Sequence, residues 1–238
     1  MVLIAQSIQG FLIGWVALVV CFLGVLIAYL RTRSSLVGYF AGFFMLKVFA
    51  LGCIVFPYLI IPQNLELIGK ISAIWSMTFF ALSLLFLGLL FSHFWLPRFK
   101  NLIIGSIVVA TTLQYIFAAL NYSSPTYLPD LKAIFVHISF SAALWHLLIH
   151  IVFMTVLGGV FFYEGVKSLS KKEKIRYISL GLGMILASTT GGLIFILSSK
   201  GITGPQAMIG MLNTFAHLLM AFGIIYKVGP VEEKEAVV

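Results

Sequence analysis

Three of the five histidines and one lysine lie deep inside long apolar stretches of the sequence. His146 and His150 are four residues apart, so on a helix they would share one face. His217 and Lys47 each fall near the middle of another apolar stretch. Ionisable side chains in such surroundings are costly to bury and are therefore a functional hypothesis by default. Their chemistry would be that of a metal site, a haem ligand or a polar ligand pocket.

Imidazole nitrogens ligate zinc and haem iron, and three histidines at one depth could hold a metal. The His146/His150 pair, however, lacks the glutamate of the HExxH zinc hydrolases. His137 and His150 are thirteen residues apart, close to the spacing by which one helix of a cytochrome b ligates two haems, but a second such helix is missing. We therefore predict no cofactor, and zinc or haem b on His137, His146, His150 and His217 remains an alternative.

Lys47 has no acidic partner at its depth. The acidic residues fall in connectors, at the ends of apolar stretches or in the C-terminal tail. Lys47 therefore extends to an interface, carries no charge, or meets an anionic ligand in a water-filled cavity. The same distribution argues against a proton pump, a sodium-coupled carrier or a carboxylate-based intramembrane protease. Enzyme activity is not predicted.

Other polar residues could complete a pocket with these four. Gln114 and Asn213 lie in apolar stretches, and Trp145 directly precedes His146. The same side chains could equally form hydrogen bonds between helices. The predicted ligand-binding set is Lys47, Gln114, Trp145, His146, His150, Asn213 and His217.

The composition places these residues in a membrane. Of the 238 residues, 61% are hydrophobic and 9% are charged, and the mean hydropathy is +1.12. A soluble domain has about 25% charged residues. Backbone groups in a bilayer core must bond within the chain, so the spans must be helices. We predict an all-α, polytopic bundle over residues 1–230, followed by a short acidic cytoplasmic tail, 231–238. The seven predicted spans are 8–30, 36–61, 71–96, 102–120, 133–163, 177–198 and 206–227.

Basic residues cluster in alternate connectors, at Arg31/Arg33, at Arg98/Lys100 and in the predicted loop 164–176. This asymmetry predicts an N-terminus outside and a C-terminus inside a multi-pass protein of the cell membrane. The net charge of +8 therefore indicates membrane-flanking loops and not nucleic-acid binding. In the loop 164–176 the basic residues predicted to face a cytoplasmic partner, or alternatively anionic lipid, are Lys171, Lys172, Lys174 and Arg176.

Four stretches resemble a known family: 30–35 (LRTRSS), 74–86 (IWSMTFFALSLLF), 168–181 (SLSKKEKIRYISLG) and 216–227 (AHLLMAFGIIYK). They are similar to the seven-helix sensor module at the N-terminus of some membrane histidine kinases and diguanylate cyclases. The resemblance implies ligand sensing by the bundle. That family continues into a cytoplasmic enzyme, whereas eleven residues follow Lys227 here. We therefore expect the signal to pass to a separate cytoplasmic protein.

These observations predict a receptor-like or sensory protein that binds a small ligand between spans two, five and seven. A haem-b-ligating redox subunit, a small-solute transporter and a structural subunit of a larger membrane complex are the alternatives. The predicted surroundings are the lipid bilayer, with a cytoplasmic signalling protein or other membrane subunits as partners.

Overall fold

The computed structural model describes residues 6–61, 63–128, 133–135, 137–202 and 205–226. These residues form seven long helices, which confirms the predicted all-α bundle. The tail 231–238 lies outside the described residues. The helices are α1 (Gln6–Thr32), α2 (Ser35–Ile60), α3 (Leu65–Phe94), α4 (Pro97–Leu120), α5 (Phe140–Lys167), α6 (Lys171–Ser199) and α7 (Gln206–Ile225).

Each helix can cross a bilayer. The apolar helical segments are 18 to 30 residues long, with mean hydropathies of 1.8 to 2.8. About 20 apolar residues suffice to cross the hydrocarbon core at 1.5 Å per residue. Large apolar side chains, among them Leu102, Leu120 and Met211, are exposed on the outside of the bundle. The chain is therefore an integral, multi-pass membrane protein, and lipid covers these side chains.

Successive helices are neighbours, and α7 closes the ring against α1. The one loose junction in the ring is between α4 and α5. Buried side chains of α2, among them Phe40, Phe43 and Phe44, fill the centre of the bundle together with Phe161 of α5. The second helix is accordingly the most deeply embedded of the seven.

Glycines let α6 pack backbone to backbone against both of its neighbours. A Cβ at Gly158 of α5 would lie 2.9 Å from the carbonyl oxygen of Gly181 in α6. On the other side, a Cβ at Gly183 would lie 2.8 Å from the carbonyl oxygen of Ala216 in α7. Gly158, Gly181 and Gly183 thus permit this close approach, whereas a Cβ at Gly159 would meet nothing within 4 Å.

Two helices contain a π-helical turn. The first, Ile71–Trp75, interrupts α3 and the second, Ile151–Thr155, interrupts α5. Such turns insert one residue into the helical repeat and occur often at functional sites. The turn in α5 begins directly after His150.

The fifth helix begins later than predicted. Residues before it form a short antiparallel hairpin, β1 (Thr126–Leu128) and β2 (Ala133–Phe135), and α5 starts at Phe140. The Ser139 side chain accepts a hydrogen bond from the Ala142 backbone N–H and caps the helix. A span over 133–163 with His137 inside it is therefore wrong. Apolar, β-branched residues suit a strand as well as a helix, so hydropathy alone extended the span too far.

Other helix ends also differ from the prediction, for similar reasons. The α3 helix begins at Leu65 because Asn64 caps it, and α4 begins at Pro97, a residue suited to the first helical position. The predicted loop 164–176 shrinks to residues 168–170, because Ser170 caps α6. Four basic residues assigned to this loop thus form the first turns of α6: Lys171, Lys172, Lys174 and Arg176.

Candidate ligand site

Lys47 of α2 and His150 of α5 meet inside the bundle. The Lys47 side chain is buried, and its Nζ lies 3.4 Å from Nε2 of His150. The other ring nitrogen of His150, Nδ1, lies 2.9 Å from the backbone oxygen of His146. A carbonyl oxygen only accepts, so Nδ1 carries a hydrogen and donates. In the neutral ring Nε2 is then the acceptor for Lys47.

His146 stacks on His150, one helical turn away. The two ring centroids are 4.1 Å apart and the planes are tilted by 31°. The ring edges of Phe80 and Phe195 enclose His146, with centroids at 6.0 Å and 4.5 Å. Nδ1 of His146 is buried and has no hydrogen-bond partner among the described residues. The shared face predicted from the four-residue spacing thus brings both rings into the bundle interior.

His217 of α7 completes the group. Its Nδ1 donates to the backbone oxygen of Asn213 at 2.7 Å. In the neutral ring Nε2 therefore has no hydrogen and carries a lone pair that can accept a hydrogen bond. That Nε2 is buried and has no partner in the described part of the chain. The ring lies near Phe44 of α2, at 6.2 Å between centroids. Helices α2, α5 and α7 therefore each place basic side chains in the interior of the bundle.

Aromatic rings, and no carboxylate, surround the amino group of Lys47. Its Nζ lies 4.7 Å from the centroid of Phe80 and 5.3 Å from that of Phe43. Aromatic faces attract a cation and partly compensate for lost water. The described acidic residues Glu66, Glu164 and Glu173 lie at helix ends. The site thus combines hydrogen-bond donors with apolar walls and offers no negative charge. We call Lys47, His146, His150 and His217 the basic cluster.

No group of three or more His, Cys, Asp or Glu side chains among the described residues could hold a metal ion. The rings of His146 and His150 lie against each other, with centroids 4.1 Å apart. His137 lies before α5, with Nε2 3.2 Å from the Thr126 hydroxyl. Of the four histidines considered for zinc or haem, the structure places His137 apart from the other three.

Three other predicted ligand residues form hydrogen bonds between helices. Gln114 donates through Nε2 to the backbone oxygen of Ala142 at 3.3 Å. Trp145 donates to the backbone oxygen of Ala110 at 2.9 Å, which also joins α4 to α5. Asn213 accepts from the Thr190 hydroxyl at 3.1 Å, which joins α7 to α6. These three hydrogen bonds are the interhelical role that the sequence left open.

The basic residues at the start of α6 divide into two kinds. Lys171, Lys172 and Lys174 are exposed. Arg176 is half-buried and points to the end of α7, where its guanidinium lies 3.4 Å from the Gly223 oxygen and 3.5 Å from the Ile224 oxygen. Arg176 therefore caps α7, and its partner-facing role stays a prediction.

Sequence reasoning missed the aromatic walls of the cluster. Phe80 and Phe195 contact His146, and Phe80 also lies under the Lys47 amino group. The chain contains 22 phenylalanines, so their presence singles out none of them. The sequence could have indicated Phe43 as a neighbour of Lys47, because it precedes Lys47 by four residues on α2 and so shares its face.

Comparison of the chain with models of known protein families and with curated protein sequences gives no match. The functional assignment therefore depends on the geometry of the basic cluster.

Proposed function

We propose that this chain is a receptor-like membrane protein that binds a small organic weak acid, as its carboxylate, at the basic cluster. The observation that carries the proposal is the contact between Lys47 and His150 in an interior where the described residues place no carboxylate. A buried charge is normally paired, and here neutral imidazoles and aromatic faces stand in for the missing anion. A carboxylate would supply it.

The hydrogen-bonding groups of the cluster suit a carboxylate. A lysine ammonium has three N–H donors, of which one points to His150. The remaining donors can bind the two oxygens of a carboxylate. Nδ1 of His146 and Nε2 of His217 are buried and have no partner among the described residues. Nε2 of His217 accepts in the neutral ring and becomes a donor to a carboxylate once the ring takes up a proton. A weak acid can also enter in its neutral form and transfer its proton to an imidazole, which avoids moving a charge through an apolar interior.

The rings around the cluster suit an apolar ligand body. Phe43, Phe80 and Phe195 are aromatic and lie on the sides from which α2, α3 and α6 approach. Pockets for small ligands are typically apolar with a few placed polar groups. An aromatic or short aliphatic monocarboxylate fits this description better than a strongly hydrated inorganic anion.

A connection from the cluster to the basic end of the bundle supports a sensory role. The π-helical turn Ile151–Thr155 follows His150, and the Thr155 hydroxyl bonds to Ser188 of α6 at 2.8 Å. Farther along α5, toward the basic end of the bundle, Gly158 packs on Gly181 of α6. The exposed lysines are at the start of α6. A ligand that draws Lys47 away from His150 would shift α5 at this turn. A separate cytoplasmic protein would read the shift, as the resemblance to sensor modules suggests.

A matched ligand pair tests the proposal. Benzoate and benzamide have the same shape, but only benzoate carries a charge. Benzoate at saturation should raise the melting temperature of the purified protein by about 3 °C or more, and benzamide should have a much smaller effect. The Lys47→Met variant should lose the benzoate response. Equal responses to both compounds, or a response that survives in Lys47→Met, would contradict carboxylate binding at the cluster.

A further inference from the structure

The junction between α4 and α5 is loose and carries polar groups. The buried face of α4 consists of Ile107, Thr111, Gln114 and Ala118. Two hydrogen bonds set the register with α5, from Gln114 to the Ala142 oxygen and from Trp145 to the Ala110 oxygen. Since the helices are antiparallel, Thr111 lies next to Ala110 at the level of His146, the residue after Trp145.

At the hairpin end, this junction has a narrow recess that is too tight to hold a water molecule until a lining side chain moves. Asn121, which follows α4, is exposed, and His137 and Ser139, which precede α5, are half-buried. The recess therefore reaches the surface. Its floor includes Met77 and Ala142, the two residues that Gln114 contacts. The complete lining is Ala73, Met77, Ala118, Asn121, His137, Ile138, Ser139 and Ala142.

By the register of the two helices, three buried polar atoms that have no partner among the described residues fall in order from this recess toward the cluster. They are Oε1 of Gln114, Oγ1 of Thr111 and Nδ1 of His146. The three side chains are 0%, 9% and 2% exposed. Each unpaired buried polar atom costs about 1–3 kcal/mol of folding free energy. Such groups are expected where a polar molecule binds or passes.

We propose that the junction of α3, α4 and α5 is the route by which the ligand reaches the basic cluster, and that Gln114 is a polar contact on the way. The identity of the ligand rests on the proposed function, whereas the route does not. Met77 closes the route: it lines the recess, its sulfur lies 3.7 Å from Nε2 of Gln114, and its unbranched side chain can change rotamer readily.

A second opening lies on the lipid side of α4. An open groove of about 450 Å³ lies along α4, lined by apolar residues including Leu102, Val109 and Ala110. Trp145 forms its wall and bonds to the Ala110 oxygen. The indole therefore separates the groove from Thr111 and His146, and entry from the hairpin end is favoured.

Cysteine labelling tests the route without any ligand. In a background of Cys21→Ala and Cys53→Ala, Ala142→Cys would be exposed to the small, anionic, membrane-impermeant reagent 2-sulfonatoethyl methanethiosulfonate. The matched control is Ala81→Cys, which is equally buried but lies in the main core. Ala142→Cys should react at least tenfold faster than Ala81→Cys from the hairpin side. Equal rates, or faster labelling only from the opposite side, would overturn the route.

Variants of Met77 link the route to binding. Met77→Ala should speed both the labelling of Ala142→Cys and the association of benzoate, and Met77→Phe should slow both, with less than a twofold change in the equilibrium affinity. Gln114→Leu should slow benzoate association several-fold. Lys47→Met should leave the labelling rate unchanged.

Rapid labelling of Ala142→Cys without benzoate binding would refute the proposed ligand and keep the route. Benzoate binding with unchanged association rates in the Met77 and Gln114 variants would refute the route and keep the ligand.

Discussion

Lys47 and His150 are 103 residues apart in the sequence, and their side-chain nitrogens lie 3.4 Å apart in the bundle interior. The hydrogen bond of His150 to the His146 oxygen makes Nε2 the acceptor in this contact. Lys47 is the donor, and His150 supplies the acceptor for its buried amino group. This division of roles gives the two residues different effects on stability.

Removal of the lysine and removal of the histidine should have opposite effects. Lys47→Met replaces the donor with an apolar chain of similar length, which removes the most costly group and should raise the free energy of unfolding by about 1 kcal/mol or more. His150→Leu leaves Lys47 without its acceptor and should lower the free energy of unfolding by about 1–3 kcal/mol. Thermal unfolding in the same detergent measures both.

The double variant is the control for that prediction. With Lys47→Met already present, His150→Leu should cost less than it does alone, because no buried amino group remains to be satisfied. Equal losses in the two backgrounds would mean that the contact between Lys47 and His150 carries no coupling energy.

Close packing of α5 on α6 should be sensitive to a single methyl group. In Gly181→Ala the new Cβ would collide with the backbone of Gly158 and Phe162, and neither can move without shifting a helix. We expect a loss of about 1–3 kcal/mol and a fall in melting temperature of several degrees.

Gly159→Ala, in α5, is the matched control for the packing of α5 on α6. A Cβ there would meet nothing within 4 Å. Alanine also favours the helix over glycine, so this variant should be neutral or slightly stabilising. If Gly159→Ala destabilised as strongly as Gly181→Ala, helix propensity or lipid contact would matter more than the packing of α5 on α6.

The bundle could be predicted from the sequence because hydropathy and the bilayer fix it. Burial of His146 and His150 on one face followed from their spacing. Contacts between distant residues did not follow, because a lysine in one apolar stretch could face any of several helices. The start of α5 depended on a local cap at Ser139, whereas the hydropathy near His137 fits a strand or a helix equally well. Gln114 could have bound a ligand or Ala142, and only the register of α4 on α5 separates these roles.

Arg176 should stabilise the end of α7. Its guanidinium bonds to the backbone oxygens of Gly223 and Ile224, two of the carbonyls that no helical N–H can satisfy. Arg176→Ala should therefore increase hydrogen exchange in the last turn of α7 by about tenfold, which corresponds to a loss of about 1.4 kcal/mol. Lys174→Ala, at an exposed position on the same helix, should leave that exchange unchanged.

The orientation in the membrane decides from which compartment the ligand enters. Basic side chains are concentrated at the end of the bundle with Arg33, Arg98 and Lys171, which predicts that this end faces the cytoplasm. The recess at the hairpin end would then face outside. In a background without Cys21 and Cys53, Ser123→Cys should react with an impermeant maleimide in intact cells. Leu169→Cys, in the exposed turn between α5 and α6, should react only after permeabilisation. The reverse pattern would mean that the bundle has the opposite orientation in the membrane. A ligand using the route past Gln114 would then come from the cytoplasm.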